Sequence, residues 1–170
     1  MTLNRRHLAS IAAFGAAAAV AGHWWLRDGP RPPAPELSFT LLDGAKLSTS
    51  DFRGQVVLVN FWATSCSTCV AEMPQIADTQ RRHGRAGFKT LAVAMRYDPP
   101  VRVADFAQHH QLPFGVVIDN TGDIAAGFGN VEVTPTSFLI DKRGHIARRF
   151  VGAPDFAALD RLVVSMLEES

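Results

Sequence analysis

Gln55 to Phe61 reads QVVLVNF, a nearly continuous apolar and β-branched run. Such a run is suited to a central strand buried on both faces, which requires a layer of helix or further chain above and below it. Four residues separate it from Cys66, and two more separate Cys66 from Cys69. These are the chain's two cysteines, too few for a disulfide scaffold in 170 residues. Their spacing, directly after a buried strand, points to chemistry before architecture.

The rest of the chain supplies the layers. Leu37 to Leu42 and Ala45 to Leu47, around Gly44, read as a short N-terminal hairpin, and Ser48 to Phe52 as a capped turn or brief helix. Val70 to His83 reads as a helix interrupted by Pro74, Phe88 to Met95 as a second buried strand, and Val101 to His110 as an amphipathic helix. Val116 to Asp119 reads as a short strand and Ile124 to Phe128 as a helical turn. Thr136 to Asp141, a turn at Lys142-Arg143-Gly144, a strand from His145 to Val151 and a helix from Asp155 to Glu168 close the chain. A βαβ unit followed by a β-hairpin and a terminal helix gives an α/β fold with a central mixed β-sheet flanked by helices.

Cys66 and Cys69 fall at the start of the helix that follows the buried strand, where residues three apart share a face and their sulfurs can bond. Free backbone N–H groups and the positive end of the helix dipole stabilise a thiolate there. The thiolate is the form that attacks disulfides. Cys66, at the exposed helix start, is therefore the expected nucleophile, and Cys69, one turn deeper, the resolving thiol. Two other readings fit less well. Half a zinc site would need further cysteines or well-spaced histidines, and the nearest are His83 and the adjacent His109 and His110. A purely structural disulfide closing so small a loop would constrain the unfolded chain little.

The first residues are of a different kind. Arg5 and Arg6 precede an uncharged, alanine-rich stretch from His7 to Leu26 that closes with Trp24, Trp25 and Arg27. A basic flank, an apolar span and interfacial aromatics describe a signal or membrane anchor over residues 1–27, with the basic end cytoplasmic and the rest facing the periplasm of a bacterial inner membrane. Ala19-Val20-Ala21 also fits a cleavage site, which would free a soluble periplasmic protein. Asn4 to Leu8 additionally resembles a twin-arginine export signal. Residues 28–35 hold four of the chain's prolines and read as a semi-rigid linker, leaving 36–170 as the domain. Four of the 17 basic residues and one of the 16 acidic ones precede Glu36, leaving 13 against 15 in the domain. That balance gives no nucleic-acid surface and no anionic-membrane surface.

Asn60-Phe61-Trp62-Ala63-Thr64-Ser65-Cys66-Ser67-Thr68-Cys69, followed by Glu72-Met73-Pro74, resembles thioredoxin-fold proteins of the TlpA/ResA type, which carry an FWATWCxPC-like segment and then E-x-P. The likeness spans roughly residues 36 to 168. It implies a thioredoxin-like fold and a periplasmic thiol-disulfide oxidoreductase, usually a reductant, with apocytochrome c and copper-site assembly proteins among the family's partners. It also implies roles for single residues. Pro135, in Val133-Thr134-Pro135-Thr136, matches the cis-proline beside the cysteines, which turns the backbone of Thr134 towards the disulfide and a substrate segment. Glu72 matches an acid/base group that tunes the cysteines, and Pro74 a proline that kinks the helix. Asn60 stands where thioredoxins carry a buried acid, and an amide cannot relay a proton. Trp62 reads equally as a shield over the site and as plain core. Ser65 and Thr68 depart from the usual tryptophan and proline, and both border the attacking sulfur.

The expected activity is disulfide exchange with protein substrates through Cys66 and Cys69, catalysed with Glu72 and Pro135 and contacting substrate through Thr134, Trp62 and Ser65. No cofactor and no metal is expected, and a membrane thiol donor would re-reduce the pair. The rival from another class is a copper(I) metallochaperone using the same two soft thiolates. A redox-inert binding module that merely retains the motif is the third possibility.

Overall fold

The computed structural model describes residues 31–169, which from Pro32 onward form one compact unit. The expected signal or anchor, 1–27, lies outside the described residues. Among the described residues no helix is long and apolar enough to cross a membrane.

The central sheet has five strands in the order β5-β4-β3-β6-β7. They are β3 (Val56–Trp62), β4 (Phe88–Ala94), β5 (Gly115–Ile118), β6 (Thr136–Ile140) and β7 (Ile146–Val151). β3 runs parallel to β4 and β4 to β5, while β6 is antiparallel to both β3 and β7. This is the expected mixed sheet. β1 (Ser38–Thr40) and β2 (Lys46–Ser48) form a separate two-stranded N-terminal hairpin, joined to the sheet by a bridge between Leu41 and Val117. A single 3-10 turn, Thr49–Phe52, follows it, with Ser48 and Asp51 forming a reciprocal capping box. Pro32 and Ala34, at the end of the expected linker, lie along the hairpin of β6 and β7. There the Ile146 N–H donates to Pro32 and the Ala34 N–H to Gly144.

Period-2 alternation divides β3 between two cores. Val56, Leu58 and Trp62 face one cluster, with α1 (Ser67–His83), α2 (Pro100–His109) and α4 (Phe156–Glu168) contributing Met73, Val103 and Leu159. Val57, Val59 and Phe61 face the other, made with the hairpin and with α3 (Asp123–Gly127). Phe61 there packs edge-on to Phe128 and Phe138, with ring centroids 5.5 and 5.9 Å away. Asn60 shares the parity of Leu58 and Trp62, so the sheet aims its amide at the helical face. β3 is buried along its whole length, as a strand covered on both faces must be.

Two local devices place the remaining elements. The buried Asp119 carboxylate accepts from the N–H groups of Gly122, Ile124 and Ala125, satisfying the start of α3 where Gly122 adopts φ +85°. Asp141 does the same for the β6–β7 turn, accepting from Arg143 and His145 around Gly144, whose φ is +79°.

Two expectations about α1 need correction. The helix begins at Ser67, three residues before the expected Val70, because Cys66 serves as its N-cap. It also runs through Pro74 without a break. Pro74 lies in the helix interior, where its missing N–H forfeits the bond to Val70, and the buried residues on either side of it, Met73 and Ile76, hold the helix on the sheet.

Candidate functional site

β3 ends at Trp62, and the chain turns once before α1: the Cys66 N–H donates to Ala63 at 3.1 Å. Cys66 then takes the N-cap position with extended φ −91° and ψ 105°, and its Sγ accepts the N–H of Cys69 at 3.2 Å. A sulfur in this place receives one of the helix's free N–H groups and lies at the positive end of its dipole. The two cysteines form a disulfide, with Cα atoms 5.2 Å apart. Their surroundings are unequal, since Cys69 is 0% exposed whereas Cys66 is half-buried, between the exposed Ser65 and Ser67.

Beneath Cys69, Glu72 occupies the next turn of α1 and is only 2% exposed. The Asn60 amide donates to Glu72 Oε1 at 2.8 Å and to Ser137 Oγ at 2.9 Å. The β3–β6 register sets Asn60 opposite Ser137, so the three side chains meet on one face. Among the described residues, Glu72 Oε2 and Asn60 Oδ1 have no hydrogen-bond partner. Burial pushes the Glu72 carboxyl up to about 7, with the Asn60 amide pulling it back. An acid poised there can hold or release a proton near neutral pH.

On the open side, the Thr134–Pro135 peptide is cis, and Pro135 precedes Thr136, which pairs with Phe61 at the end of β3. Pro135 is buried and Thr134 half-buried. Among the described residues, the backbone N–H and C=O of Thr134 take no hydrogen bond. Its hydroxyl lies 3.4 Å from the Tyr97 hydroxyl. Tyr97 and Val133 are 55% and 59% exposed, giving this rim an apolar component.

The fold thus gathers Cys66, Cys69, Glu72, Ser65, Thr134 and Pro135 at one end of the sheet. Trp62, read equally as a shield and as plain core, is 0% exposed, lies 5.1 Å from Phe106 with the rings tilted, and sits in the buried cluster that holds Cys69 and borders Cys66. Sequence reasoning missed three residues. Ser137 escaped because only strand register brings it to Asn60. Tyr97 carries no local signature. Asp98 directly precedes Pro99-Pro100, the kind of residue that caps a helix, yet α2 has Pro99 as its N-cap and no side-chain cap. Asp98 instead binds Thr64, through Oδ2 to the Thr64 N–H at 2.6 Å and Oδ1 to its hydroxyl at 2.5 Å. Among the described residues, no group of three His, Cys, Asp or Glu is placed to hold a metal ion.

Comparison with known proteins places this geometry. A family model described as Redoxin matches residues 31–163. The chain is 34% identical over 133 residues to the thiol-disulfide oxidoreductase ResA of Geobacillus kaustophilus, covering 78% of this chain and 75% of that one. It is 36% identical over 123 residues to the thioredoxin-like protein YneN of Bacillus subtilis, covering 70% and 69%. Among solved structures, a thiol:disulfide interchange protein of the thioredoxin family from Chlorobium tepidum superposes with a TM-score of 0.75 at 28% identity, covering 82% of this chain and 99% of that one.

Proposed function

We propose a direction and a division of labour for a chain that belongs to the Redoxin family and is a thioredoxin-fold thiol-disulfide oxidoreductase of the ResA kind. Its chemistry runs on its own cysteine pair, without a cofactor. In our reading the reduced protein acts as a reductant of protein disulfides on the periplasmic side of a bacterial membrane, in cytochrome c or copper-site maturation. Residues 1–27 anchor it or are removed, and a membrane thiol donor restores the dithiol.

The unequal burial of the two sulfurs carries this reading. The Cys66 thiolate, held by the N–H of Cys69 and the helix dipole, attacks one sulfur of the partner's disulfide. A Cys66–partner bond forms and the partner's other sulfur leaves as thiolate. Cys69 then loses its proton to Glu72 and attacks Cys66 Sγ, forming the Cys66–Cys69 disulfide and releasing the partner's second sulfur. Two electrons pass to the partner, and the protons follow. Glu72, with its carboxyl near 7, suits the acceptor's part. Thr134, with its backbone unpaired among the described residues, suits an extended partner segment, and Ser65 borders the attacking sulfur.

A glutathione titration of the full-length chain, read by thiol labelling, tests the direction. A potential below about −220 mV is expected for a reductant, and one near about −120 mV would reverse the proposed flow.

A further inference from the structure

Asp98 is 2% exposed and stands in the loop between β4 and α2, outside the cysteine segment. Both its carboxylate oxygens are committed to Thr64, one to the backbone N–H and one to the hydroxyl. The carboxylate is itself well anchored. The Asp98 backbone N–H donates to the Met95 carbonyl at 2.9 Å, and Pro99 and Pro100, which follow, restrict the backbone into the start of α2, where the Pro99 carbonyl accepts the N–H of Val103. Hydrogen bonds to a charged acceptor are the strong ones, and two of them from one buried carboxylate define both position and orientation.

We propose that Asp98 is a positioning residue for the attacking sulfur. Thr64 lies inside the turn that runs from Ala63 to Cys66, a turn closed by the Cys66 N–H on Ala63. Ala63 is fully buried at the end of the sheet, while Ser65 is exposed, so Thr64 is where this turn is gripped from outside. The grip determines where Cys66 enters the helix. Its extended N-cap geometry puts Sγ against the N–H of Cys69, the contact that stabilises a thiolate. Without the grip the turn is free to rotate, Sγ leaves the cap, and the Cys66 thiol returns towards its ordinary acidity. The inference rests on Cys66 being the attacking sulfur, as proposed above.

The test is the pH midpoint of iodoacetamide alkylation at Cys66 in the reduced full-length chain, with the labelled cysteine identified by mass spectrometry. Thr64→Val removes the hydroxyl and leaves every titratable side chain in place, Glu72 and Asp98 included, so no charged residue is deleted near Cys66. We expect it to rise by about one pH unit, corresponding to roughly tenfold less thiolate at a fixed lower pH. Thr64→Ser should restore the original midpoint. Asp98→Ala should raise it at least as far, and Asp98→Asn, which keeps an acceptor for the Thr64 N–H, should raise it less. An unchanged midpoint in folded Thr64→Val overturns the inference. So does a lower midpoint in Asp98→Asn, because the carboxylate would then act on Cys66 through its charge. Should Asp98→Ala fail to fold, the two milder variants decide. Labelling of Cys69 before Cys66 would instead sink the assignment of the nucleophile, and this inference with it.

Discussion

Around Cys69 the protein is closed, with Trp62, Met73 and Glu72 all 2% exposed or less. Around Cys66, a single turn away, it is open: Ser65 and Ser67 reach solvent, Tyr97 and Val133 are more than half exposed, and the backbone of Thr134 is unpaired among the described residues. One disulfide therefore joins two environments. On the closed side burial lifts a carboxyl to about 7, so near neutral pH it is divided between its protonated and ionised forms. On the open side Cys66 Sγ sits at a helix start, a place that favours a thiolate once the disulfide is reduced. The contrast teaches that identical thiols acquire different roles from how deeply each is set.

The variants that separate the two sides most sharply are the cysteines themselves. Cys66→Ser should abolish reduction of a disulfide-bonded test protein. Cys69→Ser should still attack but accumulate the mixed disulfide, visible on a non-reducing gel. Equal behaviour of the two would erase the distinction.

Next in size is the pH dependence of stability from the closed side. Glu72 has a carboxyl near 7 in the folded protein against an ordinary value of 4.5. Between those values the folded chain keeps a proton that the unfolded chain has released, so stability is fully present below 4.5 and is lost as pH rises through 7. The loss amounts to about 3 kcal/mol. Urea titrations at pH 4.5 and pH 8 measure it, and Glu72→Gln should flatten the difference.

Asn60→Ala comes third. It removes the donor shared by Glu72 and Ser137 and should destabilise by about 1–3 kcal/mol. It should also push the Glu72 carboxyl higher still, because the Asn60 hydrogen bond is what draws it down. The carboxyl stretch in infrared spectra at neutral pH would report that shift.

The smallest effect belongs to the open rim. Tyr97→Phe removes one long, exposed hydrogen bond and should change stability by no more than about 0.5 kcal/mol. Alkylation of Cys66 by a small reagent should stay constant, while KM for a protein disulfide rises. A change in alkylation would mean that the rim and the sulfur are not separable.

Most of the framework was legible in the sequence because it is written at short range. The alternation along Val56 to Trp62 assigns residues to two faces, and Cys66-x-x-Cys69 after a buried strand places two sulfurs at a helix start. The hairpin, the mixed sheet and the closing helix follow from similar local patterns and loop lengths. The error was also local: α1 starts three residues early because a cysteine caps it.

By itself, then, the sequence determined which residues carry the exchange and which strand delivers them, since backbone periodicity and helix-end chemistry depend on neighbours a few positions apart. Tertiary structure alone decided what surrounds each sulfur. The Asn60–Ser137 pairing spans 77 positions and the Asp98–Thr64 grip 34, and both depend on how strands and loops align across the sheet. Burial, which raises Glu72 and separates Cys69 from Cys66, exists only once those distant segments have packed together.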